Sequence, residues 1–111
     1  MKEIKVLMID DNKSLVDMIE EYFSDNEKIK VVKKAYSGLE GIKVIDKNRN
    51  DYDVIILDLI MPNKDGIYVL DEMKKRGINK PVIISTSYNQ DEMIRKVSEY
   101  GVRYFLLQPY D

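Results

Sequence analysis

Apolar runs of strand length alternate with segments of helical spacing along the whole chain, and this alternation restricts the fold more than any other feature. The runs are Ile4 to Ile9, Val31 to Tyr36, Val54 to Leu57, Val82 to Ile84 directly after Pro81, and Val102 to Leu107. Near-continuous apolar runs of this length mark strands buried on both faces, as in a parallel sheet. Four amphipathic segments separate them. Leu15, Met18, Ile19, Tyr22 and Phe23 form one stripe; Leu39, Ile42 and Ile45 form a second. Ile67, Leu70 and Met73 form a third, and Met93, Ile94 and Val97 a fourth. These spacings predict helices whose apolar faces pack into the core.

The local punctuation agrees. Asn12 follows the first run and suits a helix N-cap. Ser37 and Glu40 have capping-box spacing. Gly77 and Gly101 stand where a left-handed helix C-cap is expected. Strand and helix, repeated four times and closed by a fifth strand, imply right-handed crossovers with helices on both sheet faces. Such a sheet should carry a fifth helix over its last strand. The sequence ends at Asp111 before one, so the expectation is a truncated domain or a face covered by another chain.

The 111 residues suit one domain with one core. Eighteen Lys and Arg stand against 20 Asp and Glu, so the chain lacks the basic balance of a nucleic-acid binder. The chain contains no cysteine, which excludes disulfides and thiolate metal sites. It contains no histidine, which excludes a Ser-His triad, a His-based zinc site and a phosphohistidine. No apolar run approaches the roughly 20 residues of a membrane span, and the first residues do not read as a signal peptide. The simplest expectation is a soluble cytoplasmic domain with no membrane contact.

In an open parallel sheet, ligands bind beyond the carboxyl ends of the strands. There the chain places Asp10-Asp11-Asn12, Asp58, Ser85-Thr86-Ser87 and Gln108-Pro109. Asp58 sits inside an apolar stretch, between Val54-Ile55-Ile56-Leu57 and Leu59-Ile60-Met61. A charge in such a run is costly to bury unless it is paired or binds metal. Three converging carboxylates would raise at least one pKa without a counter-ion. A hard divalent cation resolves the repulsion, and Mg²⁺ takes carboxylate oxygens while keeping waters for substrate. A carboxylate can also act as a nucleophile and form an aspartyl phosphate. The Thr86 hydroxyl can donate to a phosphoryl oxygen.

These residues resemble the receiver domain of two-component response regulators. The resemblance rests on Ile9-Asp10-Asp11-Asn12, on Leu57-Asp58-Leu59-Ile60-Met61-Pro62 with Asp65-Gly66, on Ile84-Ser85-Thr86-Ser87, and on Tyr104-Phe105-Leu106-Leu107-Gln108-Pro109. Its finer pattern is similar to receivers that govern the transcription of sporulation genes. The resemblance implies a flavodoxin-like, doubly wound α/β fold with a five-stranded parallel sheet in the order 2-1-3-4-5. It implies Asp58 as phosphoacceptor. It also implies Mg²⁺, or Ca²⁺ or Mn²⁺ in its place, on Asp10, Asp11, Asp58 and the Ile60 backbone carbonyl. Thr86 and Phe105 would be the switch residues. The donor would be a phosphohistidine on a sensor histidine kinase or a phosphotransfer protein. Such a domain catalyses only its own phosphotransfer. DNA would be reached only through an output domain outside these residues, and a homodimer through the edge of the fourth helix and fifth strand.

One position departs from the pattern. Gln108 stands where the family has lysine before proline, offering an amide N–H and no charge. Charge-assisted hydrogen bonds contribute about 1–2 kcal/mol more than neutral ones, so the loss weakens phosphoryl binding without removing it. Lys13 and Lys64 lie in the surrounding loops and read first as solvated surface lysines, with substitution for the missing charge as the alternative. The same substitution motivates a second reading, a degenerate receiver acting as a phosphorylation-independent binding module. A flavin or phosphohydrolase site on this fold fits less well. Asp10-Asp11 would repel a cofactor phosphate, and Leu59 and Ile60 follow Asp58 where a phosphohydrolase wants a second carboxylate. The Gln108-Pro109 bond is expected to be cis.

Overall fold

Five parallel strands form one sheet in the order β2-β1-β3-β4-β5 in the computed structural model, which describes residues 2–61, 64–86 and 91–107. The strands are β1 (Ile4–Ile9), β2 (Ile29–Ala35), β3 (Val54–Asp58), β4 (Val82–Thr86) and β5 (Tyr104–Leu107). The helices between them are α1 (Lys13–Tyr22), α2 (Gly38–Lys47), α3 (Gly66–Lys75) and α4 (Asp91–Ser98). The class and helix placement follow the sequence pattern, and the strand order is the one the resemblance implied.

Alternation along the strands sorts the core into two layers. Leu7, Ile9, Ile55 and Leu57 face α2, α3 and α4 and pack with Ile42, Ile45, Val69, Leu70, Met73 and Val97. Val6 and Met8 face the other way, onto Val16 of α1 with Ile19, Val54 and Ile56 beside them. That second layer is thinner. Among the described residues α1 alone covers it, leaving an apolar groove of about 420 Å³ lined by residues including Ile19, Phe23, Ile56 and Ile83.

The caps form as predicted, with one variation. The Asn12 side chain accepts from the Leu15 N–H at 3.1 Å. Ser37 Oγ accepts from the Glu40 N–H at 3.1 Å, but the Glu40 carboxylate reaches past Ser37 to accept from the Tyr36 N–H. Gly77 has φ 66° and Gly101 φ 84°. After α3, the Ile78 N–H reaches Met73 O and the Gly77 N–H reaches Lys74 O, the two bonds of a Schellman ending. Arg76 at that end also pairs with Asp46 of α2 at 2.9 Å, tying the two helices together.

Several boundaries and faces differ from expectation. β2 begins two residues early at Ile29, and β5 starts at Tyr104 rather than Val102. The inner face of α1 is Val16, Ile19 and Phe23, while Met18 and Tyr22 are 55% and 79% exposed. The apolar positions of α1 span more than one face, and a helix on a single sheet can bury only one. Leu39 is exposed for the same reason, since Gly38 and Gly41 take the closest places against the neighbouring backbone and side chains.

Candidate functional site

The register of the sheet assembles the acidic site. Ile9 pairs with Leu57, so the next residues, Asp10 and Asp58, emerge side by side at the carboxyl edge. Asp58 pairs in turn with Ser85, and Thr86 ends β4 one residue later. Asp10 is 2% exposed and Asp58 9%, with Ser85 and Thr86 also buried. Asp11 is exposed at the rim. Asp10, Asp11 and Asp58 each present a carboxylate oxygen, and the three oxygens lie within 4.8 Å of one another.

Backbone N–H groups orient two of the carboxylates. Asn12 N–H donates to Asp10 Oδ1 at 2.9 Å, and Ile60 N–H donates to Asp58 Oδ1 at 3.3 Å. The other Asp10 oxygen, Oδ2, is buried and has no donor among the described residues. Burial, and then the Asp10 carboxylate, push Asp58 up to about 8 from the ordinary 3.8. Asp10 is raised as well, first by burial and opposed by the Asn12 N–H. The cluster is thus held in a form that favours protons or a cation. A buried carboxylate with one oxygen lacking a donor among the described residues, close to two further carboxylates, suits a hard divalent ion with oxygen ligands. The donor set fits such an ion.

The remaining expected residues fall as follows. Ile60 lies two residues past Asp58 with its side chain exposed. Thr86 is buried at the end of the strand next to Asp58's. Phe105 pairs with Ile84 and packs, half-buried, against the core layer of α2 to α4. Gln108 and the Gln108-Pro109 bond lie outside the described residues. Lys13 and Lys64 each hold their ammonium over a tyrosine, Lys13 at 5.1 Å from the Tyr36 ring centre and Lys64 at 5.0 Å from that of Tyr68. Sequence reasoning gave no role to Gly38 or Gly66. Both touch the loop after β3: Gly66 N–H donates to Leu59 O at 3.0 Å, and Gly38 lies against Lys64. The Asp65-Gly66 pair was visible as a motif, but the contact that requires the glycine was not.

Residues 6–111 match the response regulator receiver domain. The receiver domain of Francisella response regulator 1452 is 34% identical, covering 98% of this chain and 87% of that one, with a TM-score of 0.81. A response regulator receiver domain protein from Clostridium thermocellum is 29% identical over 97% of this chain and 84% of that one, with a TM-score of 0.83. Vibrio cholerae chemotaxis protein CheY4 is 25% identical over 98% and 89%, also with a TM-score of 0.83. The chain belongs to the response regulator receiver domains. It is therefore a signalling domain of two-component systems, a class whose partners are histidine kinases or phosphotransfer proteins. Among the described residues no helix is long and apolar enough to cross a membrane.

Proposed function

We propose that Asp58 accepts a phosphoryl group from a phosphohistidine of a partner protein and that the domain thereby switches an output. One observation supports this reading above the others. Three carboxylates each bring an oxygen within 4.8 Å of the others, one having a buried oxygen with no donor among the described residues, at the carboxyl edge of a parallel sheet. An Asp58 oxygen attacks phosphorus as the bond to the imidazole nitrogen breaks; the electron pair stays on that nitrogen, which then takes a proton. Asp10, Asp11, Asp58 and the Ile60 carbonyl would hold Mg²⁺, or Ca²⁺ or Mn²⁺. Bound there, the ion neutralises charge on the transferring group. Asp58 is oriented for attack by the Ile60 N–H. Thr86 donates its hydroxyl to the phosphoryl group, Gln108 offers an amide N–H in place of an ammonium, and Phe105 repacks in response.

The exposed Met18 and Tyr22 give α1 an apolar surface on which a donor protein can dock. Tyr104, 68% exposed, with Leu106 and Leu107, offers a pairing surface to a second copy through α4 and β5. On our reading the finer pattern of the sequence resembles the receiver of the stage zero sporulation protein A, and on that resemblance transcription of sporulation genes is the output we favour. DNA contact would then belong to a separate output domain, and the setting would be cytoplasmic.

Acetyl phosphate with Mg²⁺, read by intact mass, tests the proposal. The expected result is one added phosphoryl group, lost in Asp58→Asn. No mass gain under any metal condition would favour the degenerate receiver that Gln108 suggests, a binding module that phosphate does not switch.

A further inference from the structure

We propose that Gly38, on α2, is a positioning residue for the metal-binding loop between β3 and α3. The inference rests on the metal-binding reading above and assigns a determinant outside the acidic cluster. Gly38 is buried and opens α2, a helix that contributes no carboxylate to the site. A Cβ built on Gly38 would fall on the carbonyl oxygen of Lys64, with the Lys64 carbonyl carbon at 2.7 Å and its Cβ at 3.0 Å. The two nearest atoms are backbone, so no rotamer change relieves the overlap. Gly38 is not among the positive-φ glycines, which are Gly77 and Gly101. Space, rather than backbone conformation, therefore demands glycine here.

The loop is closed at its other end in the same manner. A Cβ on Gly66 would stand 3.0 Å from Asp58 O and 3.1 Å from Leu59 Cα. The chain thus leaves Asp58, passes Ile60, and returns at Gly66 against the backbone of Asp58 itself, with α2 set against its flank at Lys64. Ile60 carries the expected carbonyl ligand, and its N–H holds Asp58 Oδ1. Any side chain at position 38 would press Lys64 outward and move the short loop that bears both groups. Mg²⁺ demands near-ideal octahedral geometry, so a small displacement there reads out as lost affinity.

The test is a Mg²⁺ titration followed by calorimetry and by ¹H–¹⁵N spectra. In the wild-type protein the amide signals of Gly38 and Lys64 should shift with the same Kd as that of Asp58. Gly38→Ala should raise the Mg²⁺ Kd about tenfold, the scale of supporting-residue losses at metal sites. Lys64→Gly in that background should recover part of it, because a glycine backbone can turn its carbonyl away. Tyr52→Phe is the stability control. It removes a buried hydroxyl's bond to Ile45 O at 3.0 Å, at the opposite end of the sheet, and should leave the Kd unchanged. Equal affinity in Gly38→Ala and wild type overturns the inference, as does an equal loss in Tyr52→Phe. Wild-type amides that shift at Asp58 but not at Gly38 also overturn it, and this measurement needs no variant to fold. Absence of any Mg²⁺ binding by the wild type removes the metal reading itself.

Discussion

Asp58→Asn should stabilise the metal-free domain, and increasingly so as the pH rises from 5 to 8. Asp58 is raised by burial and by Asp10 from 3.8 to about 8. Such a group favours the folded state below the lower value and loses that contribution as pH rises through the higher one. At pH 5 little more than one unit of the interval has been crossed; by pH 8 nearly all of it has. The difference is just under three units, or about 4 kcal/mol at ~1.4 kcal/mol per unit. Proton sharing with Asp10 lowers this to about 2–3 kcal/mol. Asparagine keeps an oxygen for the Ile60 N–H and carries no charge. In EDTA, the Tm of Asp58→Asn minus that of wild type should therefore widen between pH 5 and pH 8 by about 8–12 °C. Thermal unfolding followed by circular dichroism measures it. A gap that is constant with pH, or a variant less stable than wild type at pH 8, would refute the electrostatic account of the cluster.

Other outcomes follow from the same structure. Adding Mg²⁺ at pH 8 should stabilise the wild type far more than Asp58→Asn, with proton release visible as a buffer-dependent heat in calorimetry. Gln108→Lys should tighten beryllofluoride binding with Mg²⁺ present by roughly 5–30-fold, the equivalent of about 1–2 kcal/mol; equal affinities would remove the argument about the missing charge. Tyr52→Phe strands the buried carbonyl of Ile45 and should cost about 1–2 kcal/mol by urea denaturation. Gly77→Ala, at φ 66° in open space, should cost about 1 kcal/mol through backbone strain alone.

The parallel sheet and the convergence of Asp10, Asp11 and Asp58 were legible because they depend on periodicity and on which residues follow each strand; the strand order was implied by the resemblance to receivers, not by periodicity. The helix faces were less so. Leu15, Met18, Ile19, Tyr22 and Phe23 satisfy helical spacing, yet Val16 is the buried centre of α1, because apolar residues on nearly every side leave the facing direction undetermined. Ile29 joined β2 through pairing with Ile4, a tertiary choice that local pattern does not carry. Gly38, between Ser37 and Glu40 of the capping box, drew no role from the sequence. Its close approach to Lys64 joins residues far apart in the chain, and no spacing rule encodes it.

The two margins of the sheet are unlike. At β2 the register slips past Val32, and Lys30, Lys33 and Lys34 line the strand, with Lys34 drawn to Glu20 at 2.9 Å. A kinked, lysine-bearing margin resists a new strand. β5 carries Tyr-Phe-Leu-Leu without a charge. With a single receptive margin, joining through strands must be like to like. Two copies would meet β5 against β5 about a two-fold axis, and that closed pair would leave no receptive strand for a third. Strand-mediated assembly of the described margins would thus be limited to pairs, without the head-to-tail repetition from which filaments grow.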